Sequence, residues 1–287
     1  VRIAFLVGLT FMLVMGCDGC FYFPSREIVY TPETFRLDYE EVRFKTSDGV
    51  ELWGWFLKAE GPAKGTVLHF HGNAENISTH IVESYWLPRY GYNVLLFDYR
   101  GYGKSQGRVT RAGTVLDGHA AVDYLLSRDD VDPKRIVMFG QSLGGAVGLA
   151  VAAERPEIAA MVVDATFGDY RRVATRHVRK ALLFEPLAAL LVKLLISKGH
   201  DPIDLLDRLP PRPLFVIASG KDRICFPELS RELFDAAREP KQFWLVEDAA
   251  HLGMIQTAGR EAERRITDFY EQALSRKPGS AVQLPDP

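Results

Sequence analysis

The stretch "RIVMFGQSLGGAVGLAVAAERP", residues 135–156, decides the fold. Its first part is a continuous apolar run of strand length, and its second part is small, apolar and helical in pattern. A strand that enters a helix this abruptly turns at Ser142 and holds that serine in a strained backbone conformation. Gly140, Gly144 and Gly145 flank the turn, where a β-carbon would collide with it. The turn lifts the Ser142 hydroxyl out of the sheet and aims the Leu143 amide, at a helix N-terminus, toward developing negative charge. Ser142 is therefore the candidate nucleophile. A second G-x-S-x-G match, "GYGKSQGR" at 101–108, centres on Ser105. There the strand-like run ends several residues earlier and no helical pattern follows, so Ser105 is expected in a loop.

Outward from this turn the chain alternates short apolar runs with helical segments. "TVLHF" (66–70), "NVLLF" (93–97), "RIVMF" (135–139), "AAMVV" (159–163), "PLFVIA" (213–218) and "QFWLV" (242–246) read as strands buried on both faces, which requires a parallel sheet with helices on either side. "TVLDGHAAVDYLLSR" (114–128) and "GREAERRITDFYEQALSR" (259–276) carry apolar residues at i, i+3, i+4 and i+7, as flanking helices should. Upstream, "LDYEEVRFKT" (37–46) and "VELWGWFLKA" (50–59) are joined by Ser-Asp-Gly and predict an antiparallel hairpin. The expected fold is α/β, with a mostly parallel sheet of eight strands.

The connection from Asp164 to Pro213 is longer than one crossover helix needs and contains "KALLFEPLAALLVKLLISK" (180–198). It predicts a short helical cap over about 167–208, either covering the sheet edge or forming a lid over an acyl pocket. Glu185, Pro186 and Lys193 interrupt the apolar run and argue against a membrane span.

The first sixteen residues, "VRIAFLVGLTFMLVMG", combine Arg2 with an apolar run too short to cross a bilayer comfortably, and read as a signal peptide. "VMGC" (14–17) resembles the lipobox of bacterial lipoproteins, which makes Cys17 the candidate lipidation site; an uncleaved anchor and an ordinary signal are the alternatives. The resemblance implies a membrane-anchored protein of the bacterial cell envelope, on its periplasmic or extracytoplasmic side, with Asp18 in the place of an inner-membrane retention signal. Residues 17–38 form an extended leader, 39–275 the main domain, and the polar, Pro-containing stretch 276–287 a disordered tail. Cys20 and Cys225 are expected as free thiols.

With 287 residues, 47% hydrophobic and 25% charged, the chain can bury a large core. A net charge of −2 offers no general basic surface, so nucleic-acid binding is not expected.

Several motifs in order, "FHGNAEN" (70–76), "DYRGYGKS" (98–105), "GQSLGG" (140–145), "SGKDRICFP" (219–227) and "DAAHLG" (248–253), resemble the α/β-hydrolase superfamily of serine hydrolases across residues 39–275. "HGNAEN" is similar to the small membrane-associated esterase-like and serine-aminopeptidase-like groups. Chain order in that superfamily is Ser, acid, His. The resemblance implies His251 as base, ahead of His177 in the cap and His200 in a loop. It implies Asp222 as acid, with Asp164 and Asp248 as rivals. Asn73 resembles the second oxyanion donor beside Leu143. His71 reads as shaping that loop, and His69 as a core histidine. Neither has carboxylates at metal-ligand spacing, so no metal and no cofactor are expected. The implied activity is hydrolysis of carboxylic esters or thioesters of small-molecule or lipid acyl substrates through an acyl-enzyme on Ser142. A serine peptidase of the aminopeptidase-like type and an inactive binding lipoprotein are the alternatives.

Overall fold

The computed structural model describes residues 22–182 and 185–275. The signal-like run, Cys17, Cys20 and the tail from residue 276 lie outside the described residues. Eight strands form one sheet: β1 (Tyr39–Lys45), β2 (Glu51–Leu57), β3 (Gly65–Phe70), β4 (Tyr92–Phe97), β5 (Ile136–Gln141), β6 (Ile158–Asp164), β7 (Leu214–Ser219) and β8 (Lys241–Val246). Their order is β8-β7-β6-β5-β3-β4-β2-β1. Only β2 runs against the rest, pairing antiparallel with β1 and with β4. The hairpin expected from Ser-Asp-Gly is therefore present, but β2 is an interior strand. Its residues from Leu52 to Leu57 are all buried, because both faces are covered.

The parallel strands are apolar without interruption because alternate residues feed two different cores. Leu68, Phe70, Ile136, Met138, Met161, Val163, Leu214 and Val216 point to one side. Val67, Val137, Phe139, Ala160, Val162, Phe215 and Ile217 point to the other. The first core is closed by α1 (Arg111–Leu126), α2 (Leu143–Glu154) and α5 (Pro227–Ala236), and the second by α6 (Arg260–Ser275). Each fully buried aliphatic side chain contributes about 1.5–3 kcal/mol, so the two cores supply the main driving force.

The strand order reverses around β3: β4 lies on one side of it and β5 on the other. Crossovers leaving β3 and β5 thus diverge, opening a crevice at the carboxyl ends of the strands, the place where open α/β sheets hold ligands.

The cap consists of α3 (Tyr170–Leu182) and α4 (Glu185–Leu195), followed by a short helix at Pro202–Leu205. Within this cap α3 is mainly basic and polar while α4 carries the leucines. Among the described residues, no helix is long and apolar enough to cross a membrane. The leader packs on the domain: Phe23–Pro24 pairs in parallel with Ala74–Glu75 just beyond β3.

Candidate active site

Ser142 occupies the single residue between β5 and α2, at φ 52° and ψ −119°. A non-glycine residue in this region is strained, and close packing explains why the strain persists. A Cβ on Gly140 would lie 2.7 Å from Gly145 Cα, and one on Gly144 would fall onto the carbonyl oxygens of Phe70 and His71. The end of β3 therefore rests directly on the first turn of α2. Ser142 N–H donates to the Asp164 carbonyl at 2.9 Å, and Thr166 Oγ1 donates to the Ser142 carbonyl at 2.7 Å.

Asn73 follows β3 by three residues. Its carbonyl accepts from Tyr102 Oη at 2.7 Å, and its side-chain oxygen accepts from Phe23 N–H at 3.2 Å. These contacts fix the peptide while its own N–H donates to no acceptor among the described residues. The Leu143 amide, in the first turn of α2, has no intrahelical acceptor either. His71 supports the same loop: buried, with Nδ1 donating to the Gly72 carbonyl at 2.8 Å, it is held neutral chiefly by its burial. His69 lies in the core, bonded to Ser84 Oγ and Gln141 Oε1.

Asp222 and His251 come from the loops after β7 and β8. Gly220 N–H donates to the Val246 carbonyl and Lys221 N–H to the Ala249 carbonyl, which ties the two loops together. Asp222 Oδ1 accepts from the amides of Ile224 and Cys225 at 2.7 and 2.9 Å, and Oδ2 meets His251 Nδ1 at 2.7 Å. The carboxyl is fully buried, while the imidazole is 17% exposed. This orientation leaves Nε2 of His251 free of the carboxylate. A β-carbon on Gly72 would lie 3.6 Å from Cδ1 of Leu252, next in sequence.

The rival carboxylates make no bond to His251. Asp248 forms an exposed pair with Lys221 at 2.7 Å. Asp164 contributes its backbone to the turn, but both of its carboxylate oxygens are buried without a hydrogen-bond partner, and burial pushes the group well above the usual carboxylate range. His177 Nε2 meets the Ile224 carbonyl at 2.9 Å, and His200 is exposed. Ser105 is a buried loop residue, donating to the Asp98 carbonyl and accepting from Trp53 N–H.

One neighbour was not foreseen. Cys225 Sγ lies 3.6 Å from Ser142 Oγ, and no hydrogen bond joins Oγ to His251 among the described residues. Burial pushes the Cys225 thiol up to about 12, so it is a neutral thiol near pH 7. The "DRIC" spacing offered a signal, since an Asp accepting from amides two and three residues on turns the chain back toward the site. Among the described residues no three His, Cys, Asp or Glu side chains gather as metal ligands.

Residues 61–210, just over half of the chain, match the family described as serine aminopeptidase, S33. The chain belongs to the serine aminopeptidase S33 family. Among curated proteins similar to it is the uncharacterized protein YfhR of Escherichia coli K12, 34% identical over 89% of this chain and 87% of that protein. The protein bem46 of Schizosaccharomyces pombe is 37% identical over 76% of this chain and 72% of its own. Among solved structures, a Pyrococcus furiosus esterase superimposes with a TM-score of 0.72 and 25% identity, covering 88% of this chain and 98% of the esterase. An alpha-beta hydrolase from Vibrio vulnificus shares the fold at a TM-score of 0.70 and 18% identity. This S33-family chain is an α/β-hydrolase.

Proposed function

We propose that the protein is a membrane-tethered serine hydrolase of the bacterial cell envelope. It cleaves carboxylic ester or thioester bonds of acyl substrates through an acyl-enzyme on Ser142. Ser142 Oγ attacks the carbonyl carbon, and His251 Nε2 takes the hydroxyl proton while Asp222 holds Nδ1 and stabilises the imidazolium. The amides of Leu143 and Asn73 receive the oxyanion. His251 then protonates the leaving alcohol or thiol. A water, deprotonated by the same nitrogen, releases the acid and regenerates Ser142. This reading requires Oγ to turn about χ1 away from Cys225 toward His251 when substrate enters; catalytic hydrogen bonds commonly tighten only in the substrate complex.

The observation that carries the reading is the strained backbone of Ser142 at the β5–α2 turn. Structural turns do not need a serine there, whereas a nucleophile held above the sheet does. The likeness to the Pyrococcus furiosus esterase favours ester substrates. Incubation with a fluorophosphonate probe followed by peptide mapping tests it: label is expected on Ser142 and absent after Ser142→Ala. Folded protein that remains unlabelled at Ser142 overturns the mechanism.

The family description favours a second reading, hydrolysis of aminoacyl peptides. Capturing a substrate ammonium needs carboxylates near the site, yet residues 167–208 hold eight Lys and Arg against five Asp and Glu. Parallel assays with p-nitrophenyl esters and aminoacyl anilides separate the two, with turnover expected on the esters.

A further inference from the structure

Seven large apolar side chains are exposed among the described residues: Phe23, Val29, Tyr30, Leu187, Leu190, Leu194 and Ile224. All seven belong to the leader or to connections that leave the carboxyl ends of parallel strands. Phe23 pairs beside Ala74, just after β3, and Val29 N–H donates to Ser78 Oγ in the same connection. Leu187, Leu190 and Leu194 lie on α4, between β6 and β7, and Ile224 follows Asp222 after β7. This is the edge of the sheet that carries Ser142.

The three leucines are the informative part. At 100° per residue, positions 187, 190 and 194 fall within about 60° of arc, while Val192 and Ile196, both buried, face the opposite way. The inner face of α4 already satisfies the fold. Its outer leucine stripe, up to 73% exposed at Leu194, covers nothing among the described residues. Contiguous exposed apolar surface of this kind marks an interaction site.

We infer that α4 and the leader around Phe23 dock onto a lipid bilayer surface, so that the crevice holding Ser142 opens against the membrane. Two further observations select a bilayer over a protein partner. The cap holds eight Lys and Arg against five Asp and Glu in a chain whose net charge is −2; Arg172 and Arg176 pair with Glu232 and Glu228 of α5, while Lys193 on α4 and Lys198 just beyond it are exposed. That balance suits anionic headgroups beneath an apolar stripe. The tether also arrives at this edge. Residues 3–16 carry no charged side chain, and the five residues from 17 to 21 can span at most about 18 Å before Tyr22. Whether the anchor is that run or a lipid on Cys17, it holds Phe23 and the neighbouring crevice close to the bilayer. The inference rests on the proposed membrane tether and is independent of whether Ser142 is the nucleophile.

The test uses the full chain reconstituted into vesicles of equal parts phosphatidylcholine and phosphatidylglycerol that contain a phospholipid with a photoactivatable acyl chain. After illumination, peptide mapping locates the attached lipid. Label is expected in residues 185–195 and 22–30 and absent from 127–135, at the amino end of β5. A Leu187→Ser/Leu190→Ser/Leu194→Ser variant should keep its melting temperature and lose α4 labelling by at least about tenfold, while labelling of 22–30 persists. Label confined to residues 1–21, or equal across both edges of the sheet, overturns the inference. So does crosslinking of α4 to a second copy of the chain in place of lipid.

Discussion

Replacing Asp222 with Asn isolates the step on which the proposed chemistry depends. Asn retains an oxygen where Oδ1 accepts the Ile224 and Cys225 amides, so the loop keeps its turn. The other position becomes an NH2 group facing His251 Nδ1 at 2.7 Å. Two donors cannot share that contact, so the ring proton moves to Nε2 and the imidazole can no longer accept a proton from Ser142. A tautomer error of this kind costs about 10⁴-fold in kcat, or roughly 5 kcal/mol of transition-state stabilisation. Loss of the charge-assisted bond lowers stability by about 1.5–3 kcal/mol, and at about 2–4 °C per kcal/mol for a chain of this size the variant stays folded at room temperature. Initial rates on p-nitrophenyl butyrate, with a thermal melt of the same sample, give both quantities. A folded Asp222→Asn protein within tenfold of the parent refutes the assignment. Asp164→Asn is the matched control: its carboxyl is raised well above the usual carboxylate range by burial and is unbonded, so kcat should stay within about tenfold.

Glu83 is buried and its carboxyl is raised from an ordinary 4.5 to about 7, chiefly by that burial. Between those values the unfolded chain releases the proton while the folded chain keeps it, so stability falls as pH rises from 4.5 to about 7 and then levels. Glu83→Gln should remove up to about 3 kcal/mol of that fall, melting with the parent at pH 4.5 and above it at pH 8; melts across that range decide, and an unchanged slope contradicts it. Gly144→Ala forces a methyl onto two backbone carbonyls, and denaturant titration should show a loss of at least about 3 kcal/mol. Cys225, 2% exposed and with its thiol held protonated, should resist iodoacetamide in the native protein and react in guanidinium, as followed by peptide mass; rapid native alkylation would contradict its burial.

The strands were legible because burial on both faces leaves uninterrupted apolar runs, and Ser142 because its turn needs glycines on both sides. Strand order was not: nothing local in "VELWGWFLKA" says that β2 is wedged between β1 and β4, since alternation and full burial differ there only by which helices cover Trp53 and Trp55. Asp222 and His251 came from motif order, and their 2.7 Å contact depends on backbone bonds between two loops more than twenty residues apart. Cys225 beside Ser142 depends likewise on how the β7 loop folds back, to which the spacing from Asp222 to Cys225 was the one pointer.

The hydrogen bonds of the leader also carry load. Phe23 N–H is bonded to Asn73, Asn76 Nδ2 grips the carbonyls of Ser25 and Glu27, and Gly103 N–H reaches Ser25. A boundary drawn at residue 39 would sever these bonds and release the peptide that the proposed chemistry uses as an oxyanion donor. The leader therefore belongs to the working parts of the molecule. Under the proposed tether, any pull on the chain upstream of Tyr22 would be delivered to the Asn73 loop before it reached the sheet, so the point of attachment and the proposed point of charge stabilisation would be mechanically one place.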